Sequence, residues 1–241
     1  MNLILLTPEE AAGSPIELSG ERAEHVLTVL KSVVGDRLRV GVLDGAIGTA
    51  RVARLGPGTM VALDALELAE VPPLPTVDLL LALPRPKVLA RLLSPIAQLG
   101  VRRLYLSGAW KVERFYFDAH VLDPAELRTH LLEGLAQVKD TRVPQVSVHR
   151  SLTYLVRDEL SAFLPEGTQR VVCNLGGPQI EQVVDRAAPH VLLAIGPEGG
   201  FTGREEALFE EHGFLRASLG ERTLRSDVAV ISALSRVCAA R

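Results

Sequence analysis

The sequence predicts an α/β protein in which a mostly parallel β-sheet, covered by helices on both faces, follows a small β-rich module. Three observations carry this expectation. After residue 75, short apolar runs alternate with stretches of helical periodicity, the pattern of a sheet buried on both sides. Before residue 70 the chain instead alternates apolar and polar residues between turn dipeptides. Between the two, Val71-Pro72-Pro73-Leu74-Pro75 places three prolines in four residues and reads as a stiff, extended linker. The expected domains are therefore 1–70 and 71–241.

In the first domain, residues 19–33 read as a short helix. Residues 36–42 (DRLRVGV) alternate, Asp44-Gly45 is a turn dipeptide, and 48–55 (GTARVARL) and 60–66 alternate again, as in a small barrel-like module. In the second domain the buried-strand candidates are 77–83, 103–107, 170–174, 191–195 and 215–219, with a weaker pattern at 144–148. Helical stretches lie between them at 88–99 (with Gly100 as C-cap), 124–139 (behind Asp123), 152–163, 181–188, 204–212 and 227–239. No internal repeat or low-complexity tract interrupts the series.

Composition narrows the class. With 47% hydrophobic and 23% charged residues over 241 positions, the chain is ordinary for a globular protein. Charges and prolines break every apolar run before it could span a bilayer, and the opening MNLILLTPEE has no positive leader. Cys173 and Cys238 are far apart, and His25, His120, His130, His149, His190 and His212 share no ligand spacing. The expectation is a cytoplasmic protein with no membrane association, disulfide framework or metal. The net charge is −3, yet Arg85, Lys87, Arg91, Arg102, Arg103, Lys111 and Arg114 face only Glu113 between residues 85 and 114, so that segment alone carries +6. Such a run marks either a polyanion footprint or a solvated face.

The C-terminal third carries the chemistry. VLLAIGPEGGFTGREEALFEEHGF reads as a buried strand, the loop Gly196-Pro197-Glu198-Gly199-Gly200, and a helix opened by a Thr202/Glu205 capping box. Gly213 ends that helix, and a strand returns to Ser218-Leu219-Gly220 before the loop Glu221-Arg222-Thr223-Leu224-Arg225-Ser226-Asp227. Asn174-Leu175-Gly176-Gly177 leaves another strand end. Three glycine-bearing loops at carboxyl ends of strands form a crevice for a small ligand, or else only turn the chain. Neither a P-loop nor a G-x-G-x-x-G after a strand is present.

IGPEGGF, a helix, ASLG and then TLRSD at the start of the last helix resemble the signature of the RsmE family of SPOUT methyltransferases. His25-Val26-Leu27 with Val34-Gly35-Asp36 is similar to that family's PUA-like module, while Leu81-Ala82-Leu83-Pro84 to Leu99-Gly100-Val101 and Arg142-Val143-Pro144-Gln145-Val146 are similar to its catalytic domain. The chain departs from the family's usual pattern at Gln98, at Ala136-Gln137-Val138-Lys139-Asp140 and at Ser226-Asp227-Val228-Ala229. The resemblance implies a SPOUT-type trefoil-knotted parallel sheet preceded by a PUA-like β-barrel RNA-binding domain. It implies S-adenosylmethionine (SAM) held by Leu175, Gly176, Ile195, Gly196, Glu198, Gly199, Ser218, Leu219, Gly220 and Leu224. It also implies transfer of a methyl group to N3 of a uridine in 16S ribosomal RNA, free or within the small ribosomal subunit, by a homodimer.

On this reading Arg225 offsets charge developing on the uracil carbonyls or holds a phosphate, and Glu198 accepts the N3 proton. The residues allow a plainer assignment too: Arg225 in a surface ion pair with Asp227, and Glu198 set against a helix dipole. Arg85, Lys87, Arg91, Arg102, Arg103 and Lys111 are the RNA-binding candidates, and Val228, Ile231, Leu234, Ser235 and Cys238 form a stripe suited equally to a dimer interface or to the chain's own core. Two other functions fit the same loops. One is a SPOUT enzyme acting on a different RNA nucleotide; the other is a non-catalytic knotted RNA-binding or assembly factor.

Overall fold

The structure is a computed structural model that describes residues 3–56 and 60–238. Two compact units divide it, one formed by residues 1–74 with 132–143 and the other by 75–131 with 144–241.

The first unit contains β1 (Ile4–Leu6), α1 (Pro8–Ala12), β2 (Ile16–Ser19), α2 (Gly20–Glu24), β3 (Arg37–Val42), β4 (Ile47–Gly56) and β5 (Met60–Glu70). Its five strands run in the order β1-β3-β4-β5-β2, with β1 parallel to β3 and the other pairs antiparallel. Leu6, Leu18, Val26, Val40, Val52 and Leu63 fill its core. The helix expected over 19–33 is shorter: α2 loosens into a π turn over His25–Val29, and Leu30 donates to the His25 carbonyl. Residues 132–143, expected with the C-terminal domain, cluster with this unit for a visible reason. Arg142 donates to the carbonyls of Pro72 and Asp44, Val143 N donates to Asp44 Oδ1, and the Thr141 hydroxyl donates to the Gly45 carbonyl.

The second unit contains β6 (Val77–Ala82), α3 (Pro86–Gln98), β7 (Val101–Ser107), α4 (Pro124–Val138, whose later residues count with the first unit), β8 (Gln145–His149), α5 (Leu152–Tyr154), α6 (Leu160–Phe163), β9 (Thr168–Cys173), α7 (Ile180–Val183), β10 (His190–Ile195), α8 (Gly203–Glu211), β11 (Phe214–Ala217) and α9 (Ser226–Cys238). Six parallel strands run in the order β11-β9-β10-β6-β7-β8. Every residue of β6 and β10 is buried, which explains why these two strands are apolar apart from Asp78 and His190 near their starts. Across one face, Phe201, Phe209 and Phe214 stack edge to face, neighbouring ring centres lying 4.8 Å apart. Burying one such ring contributes roughly 1.5–3 kcal/mol.

Three expected elements differ. The helix over 152–163 is interrupted by a π turn at Leu155–Glu159 between α5 and α6. The one over 181–188 shrinks to α7, at whose start the Gln182 side chain accepts from Gln179 N. The strand over 215–219 begins and ends earlier as β11, leaving Ser218 and Leu219 in a loop. Helix α9 ends at Cys238, and Ala239, the expected end, lies outside the described residues.

Asp78 opens β6 with its carboxylate wholly buried. Arg102 grips it bidentately at 3.0 and 2.6 Å, and His190 Nε2 lies 3.2 Å from Oδ2. Burial by itself favours the neutral acid, but His190 and Arg102 together outweigh it and hold Asp78 below the usual carboxylate range. A depressed carboxyl stabilises the fold above its unfolded value, near 3.8, and that stabilisation is lost as the pH falls further through the folded value. Asp78→Asn should therefore cost about 2–3 kcal/mol at neutral pH, near or below the low end for a broken buried pair because Arg102 keeps some water. The penalty should shrink below about pH 4 in denaturant titrations; an equal penalty at pH 3 and pH 7 would refute it.

Candidate active site

The carboxyl ends of the parallel strands build the site. After β10, residues Gly196–Phe201 turn, with Gly200 N donating to the Pro197 carbonyl at 2.8 Å, and α8 begins at the Thr202 cap. Glu205 fixes this corner: its buried carboxylate accepts from Thr202 N, the Thr202 hydroxyl and Trp110 N, each at 2.8 Å. Lys111 Nζ donates to the Gly199 carbonyl at 2.5 Å, and Arg85 Nε pairs with Glu198 Oε2 at 3.1 Å. Loops after β6 and β7 thus hold the loop after β10.

The other two loops are laced together. Ala217 accepts from Asn174 N, Ser218 N donates to Pro178, and Ile180 N donates to Ser218. The Ser218 hydroxyl lies between the amide and carbonyl of Gly220, which sits at φ +129, a conformation that favours glycine. All three glycine loops border one cavity of about 300 Å³. Of the ten expected ligand residues, Leu175, Ile195, Gly196, Glu198, Gly199, Leu219, Gly220 and Leu224 line it; Gly176 and Ser218 do not, and act on loop shape.

Sequence reasoning passed over Cys173, Phe201 and Ser226, which also line the cavity. Burial pushes the Cys173 thiol up to about 12, so it is a neutral wall rather than a nucleophile. The Ser226 hydroxyl is buried at this cavity and has no hydrogen-bond partner among the described residues.

Arg225 does not line the cavity: its side chain is 74% exposed and donates to Asp227 at 3.2 Å, so in this conformation the surface ion pair is the arrangement present. Arg91 Nη2 lies 3.6 Å from the same carboxylate oxygen. The basic candidates do not converge on one face. Arg85, Lys111 and Arg91 contact the site's own loops, and Lys87 is exposed on α3. Arg102 and Arg103 stand at the opposite, amino-terminal edge of the sheet, one on Asp78 and the other on the Phe163 carbonyl and ring. Among the described residues no cluster of three His, Cys, Asp or Glu could hold a metal, and no helix is long and apolar enough to cross a membrane.

A parallel α/β sheet whose carboxyl-edge loops enclose a small cavity is the architecture of a cofactor-dependent α/β enzyme. Residues 72–238 match the family model described as the RNA methyltransferase domain. Ribosomal RNA small subunit methyltransferase E of Treponema pallidum is 30% identical over 99% of this chain and 91% of its own length. The fold is shared with a methyltransferase of Legionella pneumophila solved with its bound cofactor SAM, at 24% identity, a TM-score of 0.79 and coverage of 100% and 98% of the two chains. It is also shared with ribosomal RNA small subunit methyltransferase E of Neisseria gonorrhoeae bound to S-adenosyl methionine, at 18% identity, a TM-score of 0.77 and coverage of 98% and 95%. The chain belongs to the RNA methyltransferase domain family and, within it, to the ribosomal RNA small subunit methyltransferase E (RsmE) family.

An unpartnered buried hydroxyl is a local cost of about 1–3 kcal/mol. Ser226→Ala should therefore leave the ligand-free protein as stable as the wild type or more stable by about 1 kcal/mol. Thermal unfolding without ligand checks this, and a destabilisation of 1 kcal/mol or more would show that the hydroxyl is already satisfied.

Proposed function

We propose that this protein transfers the methyl group of SAM to N3 of a uridine in 16S ribosomal RNA. One observation carries the reading: the three glycine loops of an RsmE-family chain close on a single cavity at the carboxyl edge of the sheet. The lining fits the cofactor. Leu175, Ile195, Leu219 and Leu224 offer apolar contact, loop backbone offers polar groups, and Ser226 holds an unused hydroxyl. When bound, SAM supplies an electrophilic methyl group on a sulfonium.

The protein's part is mainly positioning, which contributes about 7–11 kcal/mol against about 3–5 for a single general base. The ties from Glu205, Lys111 and Arg85 supply it by fixing the loop after β10 from outside. N3 of uridine carries a proton at neutral pH, so it must lose that proton or have the resulting charge stabilised. Glu198, at the cavity mouth, is the acceptor in this reading. Arg225 is the charge-stabilising group, released from Asp227 when RNA arrives; Arg91 on the same oxygen keeps Asp227 partnered after the exchange.

The entry of β10 between β9 and β6, followed by α8, the edge strand β11 and α9, supports a SPOUT-type knot. The first unit, in this reading a PUA-like RNA-binding domain, grips the RNA. Val228 and Ile231 stay exposed on α9 while Leu234 enters the core, which favours a homodimer through the outer face of that helix. The enzyme works in the cytoplasm, where ribosomal RNA is modified. Nucleoside mass spectrometry of 16S RNA from a deletion strain, with methylation of small-subunit particles in vitro, tests the whole. A product at another nucleotide, or cofactor binding without turnover, replaces this reading with one of its two rivals.

Arg225→Ala should bind SAM nearly as the wild type does, yet lose about 10²–10³-fold in single-turnover methylation, with at least a tenfold loss for Arg225→Lys. A wild-type rate in the alanine variant would leave Arg225 as a surface ion pair only.

A further inference from the structure

Beside the cofactor loop lies a second, larger concavity of about 1320 Å³. Its walls come from Gly108–Trp110, Arg150–Thr153 and the first turns of α8. The linings of the two concavities are consecutive in the chain: Gly196 to Phe201 line the cofactor cavity, and the next residue, Thr202, lines the groove.

The groove presents an aromatic platform on a fixed base. Trp110 is 83% exposed, so it contributes little to the core, yet its backbone is pinned to the buried Glu205 carboxylate. At Gly108 any Cβ would stand 2.3 Å from the Arg150 carbonyl, so this loop and the one after β8 are pressed together. The Arg150 guanidinium lies over the Phe117 ring at 5.2 Å, and the side chain is 73% exposed. Arg204 is exposed in the first turn of α8 and makes no ion pair among the described residues, and Lys111 has only the Gly199 carbonyl. Of the acidic groups nearby, Glu205 is fully engaged by Thr202 and Trp110, Asp118 lies 3.6 Å from Arg150, and Glu211 lies at the far end of α8.

We propose that this groove is a subsite for single-stranded RNA flanking the target nucleotide, with a base stacked on Trp110 and phosphates held by Arg150 and Arg204. An exposed indole on rigid backbone between guanidinium groups is the combination that binds unpaired bases without reading their sequence. A duplex hides its base faces and cannot use it. The inference rests on the RNA methyltransferase reading and adds a place for the neighbouring nucleotides.

Trp110 is the only tryptophan of the chain, so its fluorescence reports on the groove alone. A short single-stranded oligouridylate should quench it saturably, while an RNA duplex of equal length should not. Trp110→Ala should weaken oligouridylate binding about tenfold, and Trp110→Phe less, with unfolding temperature and SAM affinity unchanged. Arg150→Ala with Arg204→Ala should lower the slope of log affinity against log salt by about 1.4, two phosphates at 0.7 each. Oligouridylate binding with unquenched fluorescence and unchanged affinity in Trp110→Ala would overturn the subsite and leave the proposed function standing. Loss of dimerisation in that variant, without loss of RNA affinity, would assign the face to a second copy of the chain and overturn it too. A wild-type protein that neither binds RNA nor methylates small-subunit particles would sink the underlying function itself.

Discussion

The cavity-bearing edge of the sheet depends on one pairing, the insertion of β10 between β9 and β6. The chain has already laid down β6 to β9 when β10 enters, and the new strand hydrogen-bonds to both neighbours along its length. All six of its residues are buried, so only apolar side chains and His190 at its very start occupy it. Once β10 is fixed, everything after it is constrained. The loop Gly196–Phe201 must emerge at the carboxyl edge, β11 can add only outside β9, and α9 packs against α3, α7 and β10. The cavity follows from that order of events rather than from any single residue.

Charge works inward in this molecule. A run of seven basic residues with one acid looks like a surface for a polyanion, and its individual members do different jobs. Arg102 neutralises a buried carboxylate where β6 begins, at the edge farthest from the cavity. Arg85 and Lys111 fasten the loop Gly196–Phe201 at the other edge, and Arg91 shares Asp227 with Arg225. Strand polarity explains the division. Residues before a strand meet the amino-terminal edge and residues after it meet the carboxyl edge, so a linear cluster spanning β7 is split across about the full height of the sheet.

Much of the fold was legible because burial writes itself into periodicity. The run at 191–195 is apolar at every step, and the one at 77–83 at every step but Asp78, because both faces of β6 and β10 are covered, and the Thr202/Glu205 spacing marks the start of α8 directly. What escaped was set by distance or by weak local preference. The short strands β1 and β2 have too few residues to show a period, and π turns interrupt two helices whose apolar spacing looks continuous. The cavity-lining loops were legible from their glycines. That Ser218 shapes a loop while Ser226 faces the cavity was not, since each is one serine beside a loop and only tertiary packing tells them apart. Arg102 and Asp78, 24 positions apart, illustrate the same limit for charge.

Glu205 shows how a helix cap becomes part of a functional site. A capping carboxylate ordinarily closes on its own turn, and one of its oxygens does so here through Thr202. The other reaches 95 positions back in sequence to Trp110 N, so the start of α8 and the loop after β7 cannot move independently. Between those two elements runs the loop Gly196–Phe201, fastened in its middle by Lys111. Methyl transfer from a sulfonium gains most from fixed distances between reacting atoms, so rigidity is worth most in a loop that lines the cavity. The same carboxylate holds the base of Trp110 in the neighbouring groove. Whatever occupies that groove therefore bears on the loop Gly196–Phe201 through one buried, fully bonded side chain.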